Sequence, residues 1–79
     1  MSFYVYVIKS EVNGKLYTGH TKNLKKRLNE HNAGRTKSIK PNIPYKVIYT
    51  EQFESRIEAV RREKYLKSGV GREFLRETL

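Results

Sequence analysis

Two apolar and aromatic stretches open the chain, Phe3 to Ile8 and Lys15 to Thr21, and the pair Asn13-Gly14 lies between them. Asn-Gly suits the two central positions of a type I′ turn, so this pattern predicts a β-hairpin. With the turn centred there, the predicted cross-strand pairs are Val12 with Lys15, Ser10 with Tyr17, Ile8 with Gly19, and Tyr6 with Thr21.

Side chains of the predicted hairpin alternate between the two faces of the sheet. One face then carries three tyrosines and the other carries three aliphatic residues. Ordinary sheet packing also explains such tyrosines, because a phenol can bury its ring and keep its hydroxyl in water. The tyrosines are Tyr4, Tyr6 and Tyr17, and the aliphatic residues are Val5, Val7 and Leu16.

A short basic helix is predicted after the hairpin. Asn23 is a suitable N-cap, and Leu24 and Leu28 lie four residues apart in the stretch that ends at Asn32. Gly34 then stops the helix. The segment that follows, up to Pro44, has the Gly, Ser, Thr and Pro content of a loop with exposed cations.

The second half of the chain predicts one more strand and further helix. Tyr45 to Phe53 is β-branched and aromatic, which is typical of a strand. Ser55 and Glu58 have the spacing of a capping box, which opens a helix of about a dozen residues that ends near Ser68-Gly69. Gly71 to Leu79 predicts one or two more helical turns.

The predicted order of elements is therefore β-β-α-β-α with a short C-terminal α. A small sheet needs helices on its apolar side to exclude water. We expect an α+β fold, a three-stranded antiparallel sheet flanked by helices, in one domain that spans residues 1–79. A chain of this length buries only about 60% of its unfolded surface, which excludes a second domain.

The charge of the chain favours a polyanionic partner. Seventeen Lys and Arg residues stand against eight Glu and no Asp, so the net charge is +9. Such cations gain affinity by displacing counterions from phosphates, so the expected partner is nucleic acid, and DNA first. The cations expected to contact it are Lys15, Lys25, Lys26, Arg35, Lys37 and Lys40.

Several absences limit the other classes of function. Without Cys, the chain forms no disulfide, thiolate zinc site or Cys nucleophile. Without Asp, a divalent cation has to be bound by glutamate. No apolar run approaches the roughly 20 residues of a transmembrane helix, and Met1 to Ile8 is too short for a signal peptide. We therefore expect a cytoplasmic protein without a membrane contact.

Glu63 is the most informative single residue. Ala59, Val60 and Leu66 fall on one side of the second long helix, and Glu63 lies in the middle of that apolar stripe. One interpretation is a carboxylate at the rim of the sheet that coordinates a divalent ion. The other is an edge residue that bends out to solvent or pairs with Arg62 or Lys67.

Arg27 and His31 lie four residues apart on one face of the first helix. Arg27 is either an ordinary solvated cation or a phosphate clamp. His31 is either a helix C-terminal residue favoured by the helix dipole or a group that handles a proton. His20, at a strand end, is interpreted as a surface residue. Tyr, Arg, His and Glu together supply a base, cations and a metal ligand for phosphodiester hydrolysis.

Five segments of the chain resemble the GIY-YIG nucleases. The name-giving motifs correspond to Tyr4-Val5-Tyr6 and Tyr17-Thr18-Gly19, and the segments that follow resemble the family's two functional helices and the ending of its stand-alone members. The chain looks like a short single-domain member related to the nuclease module of the bacterial excision-repair endonuclease. These further segments are residues 21–31 with Arg27 and His31, residues 59–64 with Glu63, and residues 67–75.

The resemblance implies a divalent-metal-dependent endonuclease that hydrolyses DNA phosphodiester bonds. It implies that Tyr6 is the general base and that Tyr17 positions this base and the scissile phosphate. It implies that Arg27 stabilises the developing charge and that His31 assists as a phosphate ligand or proton partner. Glu63 then binds a single Mg²⁺ or Mn²⁺.

Two departures from the family pattern bear on activity. Tyr4 stands where the family name has Gly, and no Asn follows Asn42, whereas many active members carry an Asn on the last helices. Either Ser68 or a backbone carbonyl takes that place, or hydrolysis is weaker. We expect structure-dependent or non-specific cutting, in DNA repair or recombination. Two other functions stay open: a non-catalytic nucleic-acid-binding module, and a basic protein recruited to a partner enzyme through the tyrosine face.

Overall fold

Three antiparallel strands form the centre of the computed structural model, which describes residues 2–79. Strand β1 (Phe3–Ser10) lies between β2 (Leu16–Thr21) and β3 (Tyr45–Phe53), so β2 is an edge strand. The sheet and the α+β class are as predicted. The elements are β1 (Phe3–Ser10), β2 (Leu16–Thr21), α1 (Leu24–Asn32), a 3-10 turn (Lys40–Asn42), β3 (Tyr45–Phe53), α2 (Arg56–Lys67) and α3 (Gly69–Thr78).

The hairpin register differs from the prediction by two residues. Tyr6 pairs with Gly19 and Ile8 with Tyr17. The turn is longer than two residues, because Ser10 N–H donates to the carbonyl of Lys15 at 2.9 Å and the Ser10 hydroxyl accepts from two backbone N–H groups of the loop. Gly14 has a φ of +76° but Asn13 does not have a positive φ, so the type I′ prediction was wrong.

A shift of two residues preserves which side chains share a face. Val5 and Val7 pack under α2 and α3, against Ala59, Leu66 and Leu75. On the other face, Tyr6 and Ile8 pack with the residues of α1 and of the segment that leads to β3, namely Leu24, Leu28, Ile39 and Tyr45. Helices or the segment that leads to β3 therefore pack on both faces of the sheet, while Tyr4 and Tyr17 stay partly exposed.

Local capping explains why the helices begin and end as they do. The Asn23 side chain accepts a hydrogen bond from the backbone N–H of Lys26 at 3.0 Å. The Ser55 hydroxyl accepts one from the backbone N–H of Glu58 at 3.2 Å. These are the predicted caps of α1 and α2. No helix within residues 2–79 combines the length and the apolar character needed to cross a membrane.

The C-terminal helix is longer than predicted. It begins at Gly69 rather than Gly71 and extends for 10 residues. The Ser68 hydroxyl caps it by accepting from the N–H of Gly71 at 3.2 Å. The packing of the buried residues Gly71 and Leu75 outweighs the low helix propensity of two early glycines.

Gly71 is predicted to be intolerant of any side chain. A Cβ at this position would lie 1.9 Å from the carbonyl oxygen of Tyr65, which is backbone and cannot move freely. Gly71→Ala should therefore lower the free energy of unfolding by about 2 to 3 kcal/mol, measured by urea denaturation. Gly69→Ala is the matched control, because nothing lies within 4 Å of its Cβ position. Equal stability of the two variants would contradict this close packing of α3 on α2.

Candidate active site

Tyr6 and His31 form the innermost pair of the candidate site. Tyr6 is 1% exposed and His31, in the last turn of α1, is fully buried. The Tyr6 hydroxyl lies 2.8 Å from His31 Nε2, and His31 Nδ1 lies 2.8 Å from the hydroxyl of Thr36. Each ring nitrogen of the buried imidazole therefore has a hydrogen-bond partner.

Burial determines which member of this pair holds the proton. It raises the pKa of Tyr6 to about 12, with Tyr17 and Glu63 adding to the rise and Arg27 opposing it. Burial, together with the charge of Arg27, lowers the pKa of His31 below its usual value of 6.5. At neutral pH the imidazole is therefore neutral. Both neighbours are hydroxyls that can donate or accept, so either neutral tautomer satisfies both bonds. A base formed by this pair requires the tautomer in which the Tyr6 hydroxyl donates to Nε2 and Nδ1–H donates to Thr36.

Gly19 provides the space for the Tyr6 hydroxyl. The observed register places Gly19 directly opposite Tyr6. A Cβ on Gly19 would lie 2.6 Å from the hydroxyl oxygen and 2.8 Å from Cζ. A larger residue would push the phenol away from His31, so the glycine of the Tyr-Thr-Gly segment is required by the position of Tyr6.

Tyr17 and Arg27 surround this pair on the same face of the sheet. The ring of Tyr17 meets His31 edge-on, with centroids 5.2 Å apart. Arg27 is partly exposed and forms an ion pair with Glu30 at 3.3 Å. Burial opposes the charge of Arg27, but Tyr6 and Glu30 outweigh it and raise the pKa of the guanidinium, which stays charged.

Glu63 reaches the site from the other face, across the edge formed by β2. Its Oε1 forms a hydrogen bond with His20 Nδ1, and its Oε2 accepts from Lys67 Nζ at 2.7 Å. Burial alone would raise the pKa of Glu63, but Lys67 and His20 outweigh burial and lower it. Lys67 Nζ also lies 5.9 Å from the centre of the Tyr17 ring. This contact connects the carboxylate to the tyrosine side of the site.

The donor groups of the site fit a hydrated divalent ion. Within residues 2–79, no three His, Asp or Glu side chains come together as a metal cage. Glu63 and His20 are the side chains that could hold such an ion, with one carboxylate oxygen and one imidazole nitrogen. Mg²⁺ usually keeps several waters and takes further ligands from substrate phosphates, so one carboxylate suffices. Such an ion would compete with the Lys67 ammonium for Oε2.

His20 is the residue of this site that sequence reasoning missed. The interpretation of His20 as a surface residue was wrong, because its side chain is half-buried against Glu63. The signal lay in strand alternation: His20 pairs with Val5, on the face that α2 covers. Lys67 was one of the two partners expected for Glu63, and the structure shows that pair, because residues four apart on a helix lie side by side. Ser68, suggested in place of the missing Asn, instead caps α3.

All six cations predicted to bind nucleic acid are exposed. Lys25, Lys26 and Arg35 line one shallow depression beside α1, together with the side chain of Asn23. The others lie elsewhere: Lys15 is in the hairpin loop, and Lys37 and Lys40 are in the segment between α1 and β3. Three of the six therefore share one depression.

Comparison with known proteins identifies the family. A family model described as the GIY-YIG catalytic domain matches residues 2–74. The chain belongs to the GIY-YIG family. This GIY-YIG chain is 43% identical over 65 residues to a UPF0213 protein of Streptococcus agalactiae. The aligned region covers 81% of this chain and 73% of that protein. It is 44% identical over 66 residues to one of Staphylococcus haemolyticus, covering 82% of this chain and 79% of that protein.

A solved structure shares the fold of this GIY-YIG chain. The solution NMR structure of a UPF0213 protein from Bacillus halodurans superposes with a TM-score of 0.59 at 31% identity, covering 99% of this chain and 85% of that one. The name UPF0213 states no activity. The GIY-YIG domain is a nuclease-type domain, which implies nucleic-acid binding, and GIY-YIG nucleases generally depend on a divalent metal.

The buried His31 predicts a specific dependence of stability on pH. Its folded pKa is below 6.5, so the unfolded chain binds a proton first as the pH falls. The free energy of unfolding should therefore decrease below about pH 6.5, by up to about 1.4 kcal/mol per pH unit. Urea denaturation across this range should show the slope in wild type and in His20→Gln, and a flatter profile in His31→Gln. The same slope in all three proteins would contradict a buried neutral His31.

Proposed function

We propose that this chain is a divalent-metal-dependent endonuclease that hydrolyses phosphodiester bonds of DNA. The observation that carries this proposal is the hydrogen bond between the Tyr6 hydroxyl and His31 Nε2, beside a charged Arg27 and across one strand from Glu63. Burial keeps the proton on Tyr6 in the resting site, and the neutral imidazole is the acceptor to which this proton can move as Tyr6 takes one from water. The arrangement therefore supplies a base where family resemblance expects one.

In this proposal Tyr6 and His31 act together as the general base. A water molecule attacks the phosphorus and gives its proton to the Tyr6 oxygen while the Tyr6 proton moves to His31 Nε2. The bond from phosphorus to the leaving alcohol breaks, and the alcohol oxygen takes a proton from solvent. Because Tyr6 is almost fully buried, its hydroxyl has to become accessible to the attacking water when the substrate binds.

Two further residues stabilise the reacting phosphate. Arg27 stays charged and lies next to Tyr6, so it balances the negative charge that develops on the phosphate oxygens. Tyr17 is half-buried between His31 and Lys67, where it positions both the base and the scissile phosphate.

Glu63, with His20 beside it, would hold Mg²⁺ or Mn²⁺ at this site. When bound, such an ion supplies charge stabilisation at the phosphate and at the leaving oxygen. In its absence, Lys67 and His20 keep the carboxylate ionised and oriented.

The exposed cations of α1 and its neighbouring loops would bind the DNA backbone. Because these are phosphate contacts, they favour structure-dependent or non-specific cutting over base recognition. Such an activity belongs in the cytoplasm, close to DNA, in repair or recombination, with any target choice supplied by a protein partner. The residues proposed for backbone contacts are Lys15, Lys25, Lys26, Arg35, Lys37 and Lys40.

A non-catalytic nucleic-acid-binding module is the second candidate function. One observation favours it: the Lys67 ammonium already neutralises Oε2 of Glu63, and no Asn follows Asn42 in the chain. In that case the contacts of Glu63 are structural, and the basic surface binds nucleic acid without cutting it.

Cleavage of labelled DNA separates the two candidates. On a panel of duplex, nicked, branched and single-stranded forms with Mg²⁺ or Mn²⁺, Tyr6→Phe and Glu63→Gln should each lower the cleavage rate by about 10² to 10⁴-fold. Tyr65→Phe and Glu54→Gln are the matched controls, because these residues are exposed and lie outside the site. Both controls should cut at the wild-type rate.

The outcome of this assay decides between the functions only if folding is unchanged. Near-wild-type circular dichroism and DNA binding in chelator should accompany the loss of cleavage. If pure wild type cuts no form with either metal but binds DNA, the endonuclease proposal is wrong and the binding module is favoured. Full activity in Tyr6→Phe would remove Tyr6 and His31 from the mechanism.

A further inference from the structure

A second binding surface lies on the face of the sheet opposite the Tyr6–His31 pair. It is a cleft of about 680 Å³ between the β1–β2 hairpin and α3. The buried side chains of Leu66 and Leu75 form its floor. Leu16 and Leu79 stand at its sides and stay 49% and 52% exposed. The cleft is therefore apolar at its base and open to solvent.

Four cations line the same cleft, and no acidic side chain does. Lys9 and Arg72 form no salt bridge within residues 2–79. Lys67 pairs with Glu63 at 2.7 Å, and Arg76 forms an exposed pair with Glu73 at 3.2 Å. Two of the four cations are therefore not neutralised by a carboxylate, so this surface is suited to a polyanion.

The apolar part of the cleft distinguishes between forms of nucleic acid. A duplex presents sugar and phosphate to a protein surface and would leave Leu16 and Leu79 uncovered. An unpaired strand presents base faces as well as phosphates, so it can cover these leucines while its phosphates meet Lys9 and Arg72. The chemistry of the cleft therefore matches a single strand better than a duplex.

The cleft is continuous with the candidate active site. Tyr17 and Lys67 line the cleft, and both also border the site, through His31 and Glu63 respectively. We propose that this cleft binds the single-stranded arm of a branched DNA while the site on the β2 edge acts near the junction. This inference rests on the proposed function, because it names the form of substrate that the same site receives.

Binding measured in chelator tests the cleft without requiring cleavage. The probes are labelled oligothymidylate, a blunt duplex and a splayed-arm DNA, followed by fluorescence anisotropy over a range of salt concentrations. Arg72→Gln/Arg76→Gln should bind oligothymidylate and the splayed arm about tenfold more weakly, with a salt slope lower by about 1.4, and should bind the blunt duplex like the control. The control is Arg61→Gln/Lys64→Gln, an equal loss of charge on exposed positions of α2 outside the cleft.

Amide NMR spectra then locate the bound strand on the protein. Oligothymidylate should shift the amides of residues 14–18 and 71–79. Shifts confined to the α1 side would overturn the proposal, as would an equal loss of duplex and strand binding in the cleft variant. Equal competition by polyglutamate would show that only charge is involved, and dimers formed through Leu16 and Leu79 would make a second copy the occupant. Each of these results would also overturn the proposal, whether or not the protein cuts DNA.

Discussion

The buried hydrogen bond between Tyr6 and His31 is the constraint on which one whole face of this protein depends. Neither polar group has access to water, so removing either partner would lower the free energy of unfolding of the protein by about 1 to 3 kcal/mol. The bond fixes the distance of α1 from the sheet, and the contact of His31 with Thr36 fixes the chain that follows the helix. The same bond that stabilises this layer provides the proton acceptor of the proposed reaction.

The edge strand β2 allows one site to draw on both faces of the sheet. Gly19 leaves space for the phenol on one face, and the next residue, His20, meets Glu63 on the other. If β2 lay in the middle of the sheet, a neighbouring strand would lie between the groups on its two faces. Because β2 has a free edge, Lys67 can reach from α2 to both Glu63 and Tyr17. The position of β2 therefore brings together groups that are far apart in the chain.

Local signals in the sequence predicted the elements well, and long-range contacts were harder to predict. The bounds of α1 and β3 follow from a cap, a glycine stop and a β-branched run, each within a few residues of the end it defines. The hairpin register was wrong because Ser10 closes a longer turn that Asn13-Gly14 alone does not indicate. The resemblance to the family named the site residues, which are Tyr6, Tyr17, Arg27, His31 and Glu63. The partnership of His20 with Glu63 depends on the packing of α2 and had no local signal beyond strand alternation.

The tautomer of His31 is the most direct test of this account. Long-range proton–nitrogen correlation NMR on the wild-type protein at neutral pH distinguishes the two ring nitrogens without any substrate or metal. The account predicts a neutral ring with a proton on Nδ1 and a bare Nε2 that accepts from Tyr6. A proton on Nε2, in either the other neutral tautomer or an imidazolium, would leave Tyr6 without an acceptor for its proton and would contradict the proposed base.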